Sequence, residues 1–446
     1  MTAVLSAALA CSALLLVLAA PSEAQPRPER TPATTEADEL LPADQFQSHR
    51  WTDDLDGMRK RRVIRALVVH SKTFYFFDGA QPRGLTYEAL KLFEDFLNKK
   101  FGTGNLRIHV VALPVARDAL LTGLVEGRGD LAAANLSITD ERQVLVDFSD
   151  PVIQNVREVV VSGPAGRAPA RLEDLAGREV YVRRSSSYHA RVQALSDRLR
   201  RAGQRPVTIR AADENLEDED ILEMVNAGLV GLTVVDQHKV DFWATVFPKI
   251  RVHRNLAVAD GESIGWAVRK QNPALRGLIN EFLATVPEGS ATRNVLLRRY
   301  LQDNKWARNP TTQEEMRKYR ATVAFFRKYA GQYGFDYLMV TAQAYQESRL
   351  DQRLRSRAGA VGVMQVKPST AAGAPIGIRD VTRVDANVHA GVKYLRFILD
   401  RYLDDPAMDP VNRGLFAFAA YNAGPARVQG LRRQAAARGL DPNRWF

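Results

Sequence analysis

The chain has 446 residues but only one cysteine, Cys11. This scarcity excludes a disulfide scaffold, CxxC redox chemistry and a cysteine-built zinc site. Apolar runs of about 18 residues or more are absent beyond the N-terminus, which excludes a polytopic membrane protein. The hydrophobic fraction of 46% is that of a globular chain, and the length predicts two or three domains.

Residues 1–24 have the pattern of a secretory signal peptide. Residues 4–20 are almost entirely Ala, Leu and Val, and Pro21 and the tripeptide Ser-Glu-Ala follow as a cleavage pattern. No Lys or Arg precedes this run, and an uncleaved anchor or a lipid attached at Cys11 are the alternatives. We therefore predict an exported protein of the periplasm, peripheral to the outer membrane.

The chain is basic, with 62 Lys+Arg against 51 Asp+Glu. These charges are spread along the chain, apart from the run Arg-Lys-Arg-Arg at residues 59–62, and scattered charge is typical of a solvated surface. No zinc-finger spacing or aromatic RNP-type run is present, so we predict no nucleic-acid partner. A basic exported protein could still associate with anionic lipid or with the acidic cell wall.

The pattern of apolar residues divides the chain. Residues 25–58 are rich in Pro, Thr, Glu and Asp and predict a flexible linker. Residues 59–288 alternate strand-like runs with helical spacing, which predicts an α/β domain of two lobes. After a second predicted linker, 289–312, residues 313–446 show only helical spacing. The predicted fold is multidomain: a two-lobed α/β domain followed by an all-α domain.

One carboxylate in the helical part has an unusual setting. Glu347 lies near the end of a helical run, and its neighbours one turn back, Gln343 and Ala344, are small or neutral. A partly desolvated carboxylate has a raised pKa, which suits a general acid. The ordinary alternative is a surface charge at a helix end.

Three motifs follow one another in this part: E-S-R at 347–349, G-A-V-G-V-M-Q at 359–365 and A-Y-N-A-G-P at 420–425. In this order they resemble the motif series of the soluble lytic transglycosylases, which have a goose-type lysozyme-like fold. The resemblance implies cleavage of the MurNAc–GlcNAc β-1,4 bond of peptidoglycan without water, leaving a 1,6-anhydro-MurNAc end. Glu347 would be the single acid and base. The implied substrate-binding residues are Ser348, Met364, Gln365, Tyr421 and Asn422.

A second carboxylate is the usual requirement of glycosidases. The nearest acid within the motifs is Asp351, four residues after Glu347 and therefore expected on the same helix face. Asp351 is an alternative nucleophile. One carboxylate suffices if the N-acetyl group of the substrate supplies the nucleophile.

The resemblance has one departure. Family members usually carry a further helical segment with an active-site tyrosine, whereas only about 20 residues follow Pro425 here. Either Tyr394 or Tyr402 takes that role, or the segment is missing. The alternative function is a non-catalytic solute- or glycan-binding receptor with a degenerate, C-terminally truncated transglycosylase domain.

The α/β part carries a second resemblance. Gly-Asp at 129–130, N-L-S-I-T-D-E-R at 135–142 and D-F-S-D-P at 147–151 resemble the type-3 extracellular solute-binding proteins, which capture amino acids. The resemblance implies a sensor domain with a small amino-acid-like or muropeptide ligand, and ligand-dependent regulation through closure of the two lobes. The implied ligand-binding residues are Tyr75 with Phe76, Ser137, Thr139, Arg142, Ser186 and Asp236.

Each sensor residue has a role in the resemblance and an ordinary alternative. Arg142 would hold the ligand carboxylate through its planar guanidinium, or form a surface ion pair. Ser186, in a serine run that opens a helix, would bind an anion or serve as an N-cap. Asp236 would hold the α-amino group or lie on the surface. Tyr75 would stack above the ligand. The histidines show no metal spacing, and we predict neither a metal nor a cofactor.

Overall fold

The computed structural model describes residues 50–78, 81–165, 167–307, 312–437 and 439–445. The predicted signal peptide and residues 25–49 of the predicted linker lie outside these ranges. The described chain divides into two compact units, one that ends at residue 307 and one that begins at residue 312. The helices within the described ranges are all too short or too polar to cross a bilayer.

The N-terminal unit combines strands and helices, as predicted. Its strands are β1 (Val63–Val68), β2 (Phe76–Asp78), β3 (Gln81–Arg83), β4 (His109–Pro114), β5 (Leu131–Ser137), β6 (Asp147–Phe148), β7 (Ile153–Ser162), β8 (Glu179–Arg183), β9 (Thr208–Ala212), β10 (Leu232–Asp236) and β11 (Arg251–Val268). Its helices are α1 (Leu55–Lys60), α2 (Leu85–Phe101), α3 (Ala119–Val125), α4 (Asp140–Leu145), α5 (Ser187–Arg201), α6 (Asp218–Asn226), α7 (Gln237–Trp243), α8 (Pro273–Thr285) and α9 (Ala291–Leu301), with a 3₁₀ turn at Leu172–Leu175.

The main sheet extends through both lobes. Its order is β10-β7-β11-β5-β1-β4, with β6 beside β11. Strand β1 runs parallel to β4 and β5, and all six of its residues are buried, as expected of a strand that is covered on both faces. The long strand β11 pairs with β7 through its first part and with β5 through its last part. It therefore joins a first lobe, built on β1, β4 and β5, to a second lobe, built on β7 to β10.

The second predicted linker, 289–312, is helical and folded over much of its length. Residues Ala291–Leu301 form α9, and Ser290 accepts a hydrogen bond from the Arg293 backbone as its N-cap. The Tyr300 hydroxyl donates to Glu88 on α2, which ties the helix to the first lobe. Tyr300 is the only buried residue of α9. The apolar periodicity is therefore weak, and for this reason the sequence did not reveal the helix.

The C-terminal unit is helical, as predicted. Its helices are α10 (Gln313–Tyr333), α11 (Tyr337–Ser348), α12 (Pro368–Ala372), α13 (Val384–Tyr402), α14 (Pro410–Ala423) and α15 (Pro425–Ala437). Helix α10 packs against α11 and α13, and α14 packs against α13 and α15. One apolar core runs through these helices and includes the loop residues Val363 and Met364, which are completely buried. The loop between α11 and α12 is thereby anchored in the core.

Candidate functional site

The end of helix α11 sets the direction of the chain at Glu347. Its start is capped by Asp336, whose side chain accepts hydrogen bonds from two backbone N–H groups. At its end Arg349 and Leu350 have φ values of 54° and 57°. Two successive left-handed residues stop a helix, so Glu347 lies on its last turn.

The Glu347 carboxyl group is half-buried between two amide side chains. Gln343, one turn earlier on α11, donates from Nε2 to Oε1 at 2.8 Å. Asn422 of α14 also hydrogen-bonds to this carboxyl group. Burial raises the pKa of Glu347 to about 7, and the two hydrogen bonds oppose part of this rise. Near neutral pH the group is therefore present in both protonation states, and a pKa near the working pH suits a general acid or base.

Asp351 does not share a helix face with Glu347. The expectation was wrong because α11 ends at Ser348 and the chain reverses before residue 351. The Asp351 carboxylate accepts hydrogen bonds from the Arg353 backbone at 2.9 Å and from its guanidinium at 3.2 Å. These bonds lower the pKa of Asp351. Asp351 is therefore ionised and forms an ion pair with the exposed Arg353 side chain.

The loop at residues 359–366 is held by polar contacts from inside the unit. The buried Ser348 hydroxyl donates to the Val363 carbonyl at 2.8 Å. Asn387 of α13 is fully buried, accepts from the Met364 backbone at 2.8 Å and donates to the Val361 carbonyl at 2.8 Å. Gly362 has φ 78°, and a Cβ there would lie 2.4 Å from the Asn387 amide. Asn387 was not among the predicted site residues, although it lies between the apolar residues Ala386 and Val388 of a helical run.

Met364 and Gln365 lie in this loop, and the Met364 side chain differs from the expected orientation. The Met364 side chain is completely buried and packs against Gly391, so a sugar cannot reach it. Gln365 has φ 47°, and its amide donates to the Gly362 carbonyl at 2.9 Å. Ser348 is likewise buried. Ser348 and Met364 therefore shape the loop beside Glu347, whereas Gln365 is half-exposed.

Tyr421 and Asn422 lie on the last turn of α14. The Tyr421 hydroxyl donates to the Met364 carbonyl at 2.8 Å. Burial and the nearby Glu347 carboxylate raise the pKa of Tyr421 well above its usual value. The ring of Tyr394 lies 5.5 Å from that of Tyr421, whereas Tyr402 packs against Phe397. Of the two tyrosines considered, Tyr394 is thus the one beside the Tyr421 ring.

In the N-terminal unit, predicted ligand residues meet where the two lobes face each other. The Arg142 guanidinium donates to the carbonyls of Ser137 and Ser185, both at 2.9 Å. The hydroxyls of Ser137 and Ser187 lie 3.2 Å apart. Thr139 caps α4 by accepting from the Arg142 backbone. Residues from both lobes therefore come together here.

Asp236 ends β10 and is buried rather than on the surface. Its Oδ2 accepts from Asn135 of the first lobe at 2.9 Å. Lys239, one turn on, lies 2.9 Å from the same carboxylate and 2.6 Å from Asp218. Asn135 and Lys239 were not among the predicted site residues.

Two predicted ligand contacts have structural roles in this arrangement. Tyr75 is buried in the core of the first lobe, where its ring contacts Phe77 and Tyr87. A side chain in that position does not face a ligand. Ser186 is the N-cap of α5, accepting from the His189 backbone and donating to the Arg183 carbonyl at 2.7 Å. Ser186 therefore serves as an N-cap, the ordinary alternative to anion binding.

Ion pairs between buried or half-buried groups also join the lobes. Arg117, which follows β4, pairs with Glu217 at 2.5–2.6 Å, and both side chains are buried. Lys72, which follows β1, lies 2.8 Å from Asp220 of α6. No local sequence pattern predicts these pairs, because each joins charged residues far apart along the chain. They fix the lobes against each other in the structure described here.

Comparisons with known proteins agree with a chain of two parts, an α/β unit followed by a helical unit. Residues 67–303 match the bacterial extracellular solute-binding proteins, family 3, and residues 324–442 match the transglycosylase SLT domain. Since the first match spans more than half of the chain, the chain belongs to family 3 of the bacterial extracellular solute-binding proteins, and its C-terminal unit is a transglycosylase SLT domain.

Relatives with the same two parts carry a more particular description. "Membrane-bound lytic murein transglycosylase F" of Desulfosudis oleivorans is 29% identical over 403 residues, which are 90% of this chain and 84% of that protein. The protein of the same description from Pseudomonas fluorescens is 28% identical over 400 residues, 88% of this chain and 77% of that one. The present chain has this architecture, that of a peptidoglycan lytic transglycosylase with an N-terminal solute-binding domain.

Solved structures resemble the N-terminal unit. Holo ArgBP from T. maritima has a TM-score of 0.43 and 20% identity, and the match covers 55% of this chain and 99% of that one. An ancestral arginine-binding protein bound to arginine has a TM-score of 0.44 and 24% identity, over 54% of this chain and 98% of that one.

Proposed function

We propose that this chain cleaves the MurNAc–GlcNAc β-1,4 bond of peptidoglycan without water and leaves 1,6-anhydro-MurNAc ends. The observation that carries the proposal is the half-buried Glu347, whose pKa is raised to about 7. It lies in the transglycosylase SLT domain between the side chains of Gln343 and Asn422. Asp351, engaged by Arg353, is not needed in this scheme.

The proposed reaction uses the Glu347 carboxyl group twice, first as an acid and then as a base. Glu347 gives its proton to the glycosidic oxygen as the bond to MurNAc C1 breaks, and the N-acetyl oxygen of MurNAc bonds to C1. The Glu347 carboxylate then takes the proton of the C6 hydroxyl. O6 displaces the acetamido oxygen from C1 and closes the anhydro ring, so Glu347 ends protonated as it began. Tyr421 and Asn422 hold the loop and the carboxyl group in place.

For the N-terminal unit we propose a small amino-acid-like or muropeptide ligand bound between the lobes. Arg142 supports this because, among the described residues, its guanidinium donates to carbonyl oxygens, and a ligand carboxylate is a stronger acceptor for it. Ligand-dependent changes in how the lobes close would regulate cleavage. The site of action would be the periplasm, peripheral to the outer membrane.

The test is digestion of purified peptidoglycan by the purified chain and by Glu347→Gln, with products weighed by mass spectrometry. Glu314→Gln, a change at an exposed carboxylate, is the matched control. We expect anhydro-muropeptides from the parent and from the control but not from Glu347→Gln. Reducing-end products would mean hydrolysis and contradict the proposed reaction. Glycan that is bound but left intact would identify a receptor instead.

A further inference from the structure

The carboxyl group of Glu347 has a partner on its own helix. Gln343 is four residues earlier, so that its side chain lies over the same face of α11. Its amide is buried and donates from Nε2 to Glu347 Oε1 at 2.8 Å. Because both residues belong to one rigid helix, this contact does not depend on a loop or on a neighbouring element.

The two amides around Glu347 differ in how they are held. Asn422 reaches the carboxyl group from α14, where its amide also donates to the Phe418 carbonyl at 3.1 Å. Gln343 is held in place because it is buried on the face of α11 that packs against the core. A carboxyl group held from its own helix keeps its direction even when the neighbouring helix shifts as a glycan enters.

We propose that Gln343 is a positioning residue, which fixes the direction of the Glu347 carboxyl group for both proton transfers. This assignment rests on the proposed function, because it concerns the carboxyl group that performs the reaction. Gln343 itself does not touch substrate, since its side chain is buried.

The donated hydrogen bond favours the ionised carboxylate, so Gln343 also opposes the rise in pKa that burial causes. The titratable group that faces Glu347 from α14 is Tyr421, whose pKa is raised well above 10 and which stays neutral over the working range. From α11 the group that faces Glu347 is the neutral amide of Gln343. Loss of the Gln343 donor should therefore raise the pKa of Glu347.

The experiment compares Gln343→Met with Gln346→Met in the full chain. Methionine has a similar length but donates no hydrogen bond, and Gln346 is an exposed glutamine of the same helix. The first measurement is a carbon-13 titration of the Glu347 carboxyl signal, which is assigned by its loss in Glu347→Gln. We expect the midpoint to rise by about one pH unit in Gln343→Met, the size expected for one hydrogen bond. The midpoint should be unchanged in Gln346→Met.

The second measurement is the pH profile of anhydro-product release. Gln343→Met should lower kcat several-fold with KM nearly unchanged, and the alkaline limb should move upward with the titration midpoint. Gln343→Asn retains a buried amide that is one methylene too short, and it should show the same shift if the methionine variant does not fold.

An unchanged midpoint in the folded variants would overturn the assignment, as would equal shifts in Gln343→Met and Gln346→Met. If the parent released no product but Gln343→Met showed the expected titration shift, the proposed reaction would be refuted. The pairing of Gln343 with Glu347 would still hold. The two failures are therefore distinguishable.

Discussion

Asn387 connects helix α13 to the loop beside Glu347, and its replacement gives a sharp test of how that loop is held. In Asn387→Leu the Met364 N–H loses its acceptor. The carbonyls of Val361 and Val381 lose the Asn387 amide, but each keeps another donor. A buried donor without a partner costs ~1–3 kcal/mol, and each lost but replaceable bond costs ~0.5–1 kcal/mol. We therefore expect a loss of about 2–5 kcal/mol.

Urea unfolding followed by helical circular dichroism would measure this loss, and hydrogen exchange of peptides over residues 359–366 would localise it. Exchange there should accelerate by more than about thirtyfold, while the N-terminal unit should be unchanged. Asn387→Asp, which keeps the acceptor for Met364, should lie between the parent and Asn387→Leu. Gln346→Leu, at an exposed position, is the control. If Asn387→Leu exchanged like the parent in this loop, the reasoning about the buried amide would be refuted.

Three further outcomes are expected. The folded-state pKa of Glu347 is raised, so ionisation of this group costs stability as pH rises through about 7. Glu347→Gln should therefore be more stable than the parent by ~1–2 kcal/mol at pH 8, after allowance for screening, and little changed at pH 4. Thermal unfolding at both pH values is the check. Arg117→Met removes the nearer of two cations beside the buried Glu217, since Arg183 remains at 4.0 Å, and should cost ~3 kcal/mol. Arg117→Met combined with Glu217→Gln should cost less. Calorimetry of the parent and these two variants decides, and an equal cost would argue against the pair. Asp351→Asn should still release anhydro-muropeptides within about threefold of the parent rate, because no step uses its carboxylate; loss of product in mass spectra would restore Asp351 as a candidate nucleophile.

The fold was largely predictable, because long elements leave a periodic signal. The buried run Val63–Val68 and the spacing of Leu90, Phe93 and Leu97 along α2 identify a central strand and a helix packed on it. Helix α9 was hidden, since a surface helix with one buried residue has little periodicity.

The candidate site was predictable as to its residues and less so as to their contacts. Glu347, Tyr421 and Asn422 do lie together. The position of Asp351 could not be predicted from its spacing. The helix ends at two left-handed residues, Arg349 and Leu350, and neither is the glycine that usually marks a helix end. Likewise, whether Met364 faces sugar or core depends on tertiary packing against Gly391, which no local pattern records.

The last described residues of the N-terminal unit contain an aromatic stack. The ring of Trp306 lies parallel to Phe76 of the first lobe at 5.4 Å and to Phe242 of the second lobe at 5.3 Å. Any opening of the lobes must part this ring from one neighbour and let water reach it. The indole is thus a built-in optical reporter, whose emission, isolated by comparison with Trp306→Phe, should follow lobe closure without an attached dye.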